Sequence, residues 1–268
     1  MITSTFTFLD GIGRKTEQQL WGAGITDWNK FLDAERIFDI STKGKIYYNY
    51  ELKNAKQALL DNDASFFSKK LPSADVWRLY DYFKDEVVYL DIETTGLSRD
   101  DDITVVGLYD GNVTKTMVRG INLDVKQLAS ELQKYKLIIT FNGASFDLPM
   151  LAKKYPVLQN VFSRMPHIDL RHVCAELGLR GGLKKIEKDL AIKRGNFFVE
   201  RLNGGDAVKL WRFWLASKDE YYLKLLIEYN EEDIINLKQI MEHCNMEMKD
   251  KITNNLKQIS AAKDLYVS

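Results

Sequence analysis

The run Val87-Val88-Tyr89-Leu90 is made for the inside of a sheet, yet it continues into Asp91 and Glu93. Side chains alternate along a strand, so residues two apart share a face. The two carboxylates therefore converge on one patch at the end of an apolar strand. Charges of one sign so placed repel, and burial penalises each of them further, unless a cation lies between them. Thr94, Thr95 and Gly96 then turn the chain. A core strand that must deliver two acids to one spot constrains this chain more than any average property does.

The pattern around that strand is regular. After a strand over 87–92, "ITVVGLYDGNVTKTMV" reads as two strands joined at Asp110-Gly111, a hairpin signal. "LDVKQLASELQKY" is an amphipathic helix with Leu128 and Leu132 on one face, and "LIITF" (137–141) is another apolar strand. "FDLPMLAKKY" starts a helix in which Pro149 is tolerable in the first turn. "HIDL" (167–170) is a short fifth strand, and helices follow over 171–177, 183–190, about 205–217 and 219–244. A meander followed by alternating strands and helices predicts an α/β fold, a mixed sheet flanked by helices.

Residues 1–70 read differently, as short helices of a small all-α domain, with Leu20, Trp21, Ile25, Trp28, Phe31 and Leu32 at helical spacing around Gly22 and Gly24. "KKLPSAD" carries a proline and turn formers, which predicts a linker over 71–85. The α/β domain is then 86–245, and 246–268 is a C-terminal helical tail.

Two more acids stand beside apolar segments. Asp147 follows the 137–141 strand in "FNGASFD", and Asp233 lies in "LLIEYNEEDIINL", where Tyr229 four residues earlier shares its helix face. Asp147 alone would be a helix N-terminal acid complementing the dipole, and Asp233 alone a solvated helix residue. Taken together, the four carboxylates need positive charge. Oxygen ligands without histidine favour Mg²⁺ or Mn²⁺ over zinc. Two such ions stabilise the attacking and leaving oxygens of phosphodiester hydrolysis, with the phenol orienting or deprotonating water.

Charge and cysteine content narrow the setting. Lys+Arg and Asp+Glu both number 38, so there is no overall basic coat for nucleic acid, though local patches stay open. Two cysteines make neither a disulfide framework nor a zinc site and predict a reducing, cytoplasmic environment. No secretory leader pattern and no membrane-length apolar run is expected.

"DIETTGL", "FNGASFDLP" and "YNEED" resemble, in order and rough spacing, the three exonuclease motifs of the DEDD superfamily, which has a ribonuclease H-like fold. Asp91 and Glu93 match the first motif, Asn142, Phe146 and Asp147 the second, and Tyr229 with Asp233 the third, in the tyrosine-bearing (DEDDy) form. "LKKIEKDL" and "GGDAVKLWRFW" further resemble the YprB-type ribonuclease H-like proteins. The likeness covers about residues 85–245. It implies that Asp91, Glu93, Asp147 and Asp233 bind two divalent cations, Mg²⁺ or Mn²⁺, and that Tyr229 positions the hydrolytic water. It also implies that Thr94, Thr95 and Leu97 lie against the 3′-terminal nucleotide and Asn142 near the next.

"LDGIGRKTEQQLWGAGI" resembles a helix-hairpin-helix motif, whose Gly11-Ile12-Gly13 turn would offer amides to a phosphate at a helix N-terminus, with Arg14 and Lys15 adding charge. The alternative is a turn that only shapes a helical domain. "GAGITDWNKF" reads as structural. The run Arg180, Lys184, Lys185, Lys188, Lys193 and Arg194 reads as a solvated helix face, with backbone neutralisation as the rival. Trp211 and Trp214 read as core on a helix, with base stacking as the rival, and His167, His172 and His243 are too dispersed to be ligands. The expected activity is 3′–5′ exonucleolytic hydrolysis of single-stranded or frayed nucleic acid, DNA placed ahead of RNA. The alternatives are a nucleic-acid-binding protein with little or no catalysis, a structure-specific endonuclease on the same fold, and a protein-interaction adaptor.

Overall fold

Alternation of buried side chains on one central strand organises the larger half of the molecule. The computed structural model describes residues 1–98, 100–202 and 204–267. In chain order the helices are α1 (Arg14–Gly22), α2 (Trp28–Asp33), α3 (Thr42–Leu60), α4 (Tyr80–Phe83), α5 (Val125–Leu132), α6 (Asp147–Lys154), α7 (Leu158–Arg164), α8 (Leu170–Glu176), α9 (Leu183–Asp189), α10 (Phe197–Arg201), α11 (Gly204–Ser217) and α12 (Glu220–Val267). The strands are β1 (Val87–Thr94), β2 (Ile103–Tyr109), β3 (Thr114–Val118), β4 (Leu137–Thr140) and β5 (His167–Asp169). The chain divides into two units, one of residues 1–83 with 245 onward, the other Lys84–Cys244.

The second unit is one five-stranded sheet in the order β3-β2-β1-β4-β5. β1 runs antiparallel to β2, and β2 to β3, whereas β4 and β5 join parallel to β1. The predicted hairpin is present: Asp110 accepts from the amides of Asn112 and Val113, and Gly111 takes the left-handed backbone (φ 96°). Val88, Leu90 and Ile92 of β1 pack with Val106, Leu108, Leu128, Leu132 and Leu151, burying one face under α5, α6 and α7. The other face packs Val105 and Val118 against Ala207, Leu210, Trp211, Leu226 and Tyr229 of α11 and α12. Strand alternation therefore aims Asp91 and Glu93 at α12. A bulge shifts the β1–β2 register between Glu93 and Thr94, where the strand leaves the sheet.

The five strands and the main helices lie where the hydrophobic period puts them. Two short helices, α7 and α10, have no strong period of their own, and the sequence pattern does not announce them. Trp211 is buried and Trp214 half-buried, in keeping with core packing.

The first unit is helical. Its centre is aromatic, with Phe6, Phe8, Trp28, Phe31 and Phe67 in ring contact and buried. Glu17 is only 1% exposed and accepts from Thr5 Oγ1 (2.6 Å), the Phe6 amide (2.7 Å) and Arg78 (3.0 Å), so its charge is compensated internally. Asp27 caps α2 by accepting from the amides of Asn29 and Lys30, a local structural use for the acid in "GAGITDWNKF". The stretch 71–85, read from the sequence as a linker, instead contains the turns Ser73–Leu79 and α4. Trp77, Leu79 and Phe83 there are core residues, because Pro72 starts a helical turn rather than an open spacer. Of the 246–268 tail, residues 246–267 continue α12 and residue 268 lies outside the described residues; Asn245 and Lys249 both bond to Asp81.

Candidate active site

Three segments far apart in sequence bring acids together. β1 supplies Asp91 and Glu93, the start of α6 supplies Asp147, and the first third of α12 supplies Asp233 with Tyr229 one turn before it. Asp91, Glu93 and Asp233 each offer an oxygen within 4.8 Å of the others. Asp147 stands beside them rather than in that trio, its Oδ1 accepting the amide of Ile92 (3.1 Å), the residue between the two β1 acids. Glu93, Asp147 and Asp233 are buried.

Each acid is held differently. Asp91 Oδ2 accepts from Asn230 Nδ2 at 2.9 Å. Asn230 fits over the sheet because Gly107 is the residue paired with Asp91 across β1–β2, and a Cβ there would lie 2.0 Å from Asn230 Oδ1. Asp233 accepts from Arg194, whose guanidinium also forks onto Glu187 at 2.8 and 3.0 Å. Glu187 in turn accepts from Asn236 Nδ2. Glu93 is 8% exposed and has no hydrogen bond or ion pair among the described residues.

The electrostatics follow from this crowding. Desolvation first, then the charges of Asp147, Asp233 and Glu93, hold Asp91 well above the usual carboxylate range. Desolvation and then the charges of Asp233 and Asp147 do the same to Glu93. Burial pushes Asp147 up to about 7 against the opposing pull of its backbone amide bonds. Burial raises Asp233 to about 6, with Arg194 limiting the rise. The Tyr229 hydroxyl is driven far above its ordinary value, mainly by desolvation and then by Asp233, Glu93 and Asp91. Four acids that hold each other's protons on, one of them with no hydrogen bond or ion pair among the described residues, form a donor set of hard oxygens suited to a divalent cation.

The motif-two loop is positioned by a residue that the motifs do not include. Asp169, at the end of β5, accepts from the amides of Asn142 (2.7 Å), Ala144 (3.1 Å) and Arg171 (3.0 Å). It carries the same signal that singles out Asp91, an acid ending an apolar strand, but backbone donors supply its countercharge. Asn142 is left-handed (φ 66°), and Gly143 has no room for a Cβ, which would lie 2.2 Å from Thr140 Oγ1. The Asn142 side chain accepts from Arg171 Nη1 and Ser145 Oγ.

The other residues singled out from sequence spread more widely. Thr94 and Thr95 turn their hydroxyls inward, to the Gly96 carbonyl and the Asp101 carboxylate, while Leu97 is 88% exposed. In the helical unit, Gly11 is left-handed (φ 79°) and Gly13 caps α1. Arg14 donates to the Ala74 carbonyl and Asp75, whereas Lys15 is exposed. The basic run 180–194 is not uniformly a solvated face. Arg194 is internal, and Lys184 donates to the carbonyls of Val199, Glu200 and Leu202 at the end of α10. Asn230, Asp169 and Gly107 are residues of the site that the sequence does not single out, and Arg194 is one it reads as part of a solvated face. No helix among the described residues is long and apolar enough to cross a membrane.

Residues 88–245 match the profile of a protein family, RNase_H_2, placed in the RNase_H superfamily. Among solved structures, the chain resembles the family B DNA polymerase of the hyperthermophilic archaeon Pyrobaculum calidifontis, with a TM-score of 0.44 and 12% identity over 57% of this chain. It spans 24% of that polymerase chain. It also resembles NrnC of Brucella melitensis, with a TM-score of 0.39 and 18% identity over 68% of this chain and 83% of NrnC. No curated protein matches the sequence significantly.

Proposed function

The chain belongs to the RNase_H_2 family of the RNase_H superfamily, and from that premise we propose that it is a metal-dependent 3′–5′ exonuclease of the tyrosine-bearing DEDD type. The observation that carries this reading is buried Glu93, without a hydrogen bond or ion pair among the described residues, within 4.8 Å of oxygens from Asp91 and Asp233. A stable fold does not gather such carboxylates without a counterion to gain from them.

Asp91, Glu93, Asp147 and Asp233 would hold two divalent cations, Mg²⁺ or Mn²⁺. Bound there, the ions would polarise the scissile phosphate and lower the pKa of the attacking water. The chain's own residues do the rest. Asn230 and the Ile92 amide fix the directions of Asp91 and Asp147, and Arg194 fixes Asp233. Tyr229, one helical turn before Asp233, would orient the attacking water or take its proton. Exposed Leu97 and the Asn142 loop are the surfaces against which the last two nucleotides of a single strand would rest. Gly11, Gly13, Arg14 and Lys15 would add phosphate contacts from the helical unit.

The test is digestion of end-labelled single-stranded DNA and RNA, with either end blocked, in Mg²⁺, in Mn²⁺ and in excess chelator. Stepwise loss from the 3′ end that requires metal is expected. Cleavage of a circular strand would replace the exonuclease with an endonuclease, and binding without turnover would leave a nucleic-acid-binding protein.

A further inference from the structure

Beside the motif-two loop lies a cavity of about 340 Å³, lined by Phe141, Arg171, Cys174, Leu179, Arg180 and Ile186, among others. Its size falls at the lower end of the roughly 300–1,000 Å³ typical of small-molecule sites. Two of its walls lead directly to the acids. Phe141 precedes Asn142, whose side chain accepts from Arg171 Nη1 at 2.8 Å. Ile186 precedes Glu187, which holds Arg194 against Asp233.

The two guanidiniums that line this cavity differ from Arg194, Lys184 and Lys185 nearby, each of which is already engaged. Arg194 is engaged by Glu187 and Asp233, Lys184 by three carbonyls, and Lys185 by Asp189. Arg171 and Arg180 have no carboxylate partner among the described residues, and both are exposed. In a chain of zero formal charge, two un-neutralised guanidiniums opening on one cavity are a local positive site. A guanidinium pairs with a phosphate through two parallel hydrogen bonds. Phe141, half-buried and lining the same cavity, offers a ring to a base.

We propose that this cavity is a nucleotide subsite for the substrate strand, upstream of the reacting end, in which Arg180 and Arg171 take a phosphate and Phe141 stacks on the base. The inference rests on the nuclease reading for its substrate, but not on turnover for its test. Tetranucleotides and dinucleotides of thymidine with hydrolysis-resistant phosphorothioate links are titrated with the full chain in Mg²⁺. Binding is followed by the anisotropy of a 5′ fluorophore across a salt series.

The wild-type protein should bind the tetranucleotide more tightly than the dinucleotide. Arg180→Glu, a change at an exposed side chain, should weaken the tetranucleotide by about tenfold or more and flatten the log–log salt slope by about 0.7 for each phosphate no longer neutralised. Phe141→Leu should weaken it by about 5- to 100-fold with the slope kept. Should Arg180→Glu keep wild-type affinity and slope, or the wild-type protein bind no tetranucleotide, the subsite is wrong. Displacement of the strand by thymidine monophosphate at the strand's own affinity would assign the cavity to a free nucleotide and overturn it likewise. Binding that depends on Arg180 without cleavage of unmodified strands would sink the nuclease reading and leave the subsite standing. Cleavage with Arg180-independent binding would do the reverse.

Discussion

Arg194 donates to Asp233 from a side chain only 2% exposed, and the same guanidinium forks onto Glu187. One cation thus serves an acid of the candidate site and an acid of α9, 46 residues before Asp233 in the chain (233 − 187). Arg194 takes Asp233 Oδ1, and Asp233 also offers an oxygen within 4.8 Å of those of Asp91 and Glu93.

Removing that guanidinium strands two buried carboxylates. Arg194→Ala is expected to cost about 3–5 kcal/mol, the usual penalty for breaking a buried pair from one side. Arg194→Lys should recover only part of it, because an ammonium cannot reproduce the fork. Urea unfolding of the two variants checks this, and a loss under about 1 kcal/mol in Arg194→Ala would show the pair to be solvated.

The crowded acids predict an unusual pH dependence. Their native pKa values are raised, to about 7 for Asp147 and about 6 for Asp233, with Asp91 and Glu93 also well above the usual range. The native state therefore holds protons that the unfolded chain has released, and stability falls as pH rises. In chelator, these groups contribute a decline in melting temperature from about pH 4 to about pH 7. Asp91→Asn should flatten the decline and raise the melting temperature near pH 7, while cutting cleavage by orders of magnitude. Mg²⁺ should stabilise the wild-type protein in the same range by binding only the native state. A variant that melts lower at pH 7 in chelator would contradict the account.

Gly107 is required by Asn230. Gly107→Ala puts a methyl 2.0 Å from Asn230 Oδ1, so the amide must move off Asp91. Overpacking of this kind costs about 1–3 kcal/mol. Cleavage should fall with it, and Gly107→Ala with Asn230→Ala should regain stability without regaining full activity. Thermal melts and initial rates on one oligonucleotide distinguish the two effects.

Tyr229→Phe keeps the ring, which lies near Lys184 and Arg194 (5.3 and 5.6 Å from the centroid), and removes only the hydroxyl. Folding and Mg²⁺-induced stabilisation should persist while turnover drops by about 10²-fold or more. Unchanged turnover would make Tyr229 a packing residue.

In the helical unit the charged members of the Gly11–Gly13 turn are not equal. Arg14 already bonds to Asp75 and the Ala74 carbonyl, whereas Lys15 is exposed. Lys15→Ala should flatten the salt dependence of strand binding by about 0.7–0.9 without lowering the melting temperature. Arg14→Ala should lower the melting temperature as well. An unaltered slope in Lys15→Ala would leave the turn a structural element.

Much of this was legible in the chain itself. The alternation of Val88, Leu90 and Ile92 against Asp91 and Glu93 specifies a strand with one core face and one acidic end, since a side chain's face follows from its parity. The four-residue interval from Tyr229 to Asp233 places both on one side of a helix for the same reason. Periodicity is local, so these features needed no knowledge of the rest of the molecule. What only the tertiary structure decided is which distant groups complete each charge. Asp169 and Asp91 read alike, but one meets three backbone amides and the other meets fellow carboxylates. Arg194 reads as one of a solvated basic run, yet packing turns it inward to Glu187 and Asp233. Pairing across long chain separations depends on how helices and strands dock, and no local pattern encodes that.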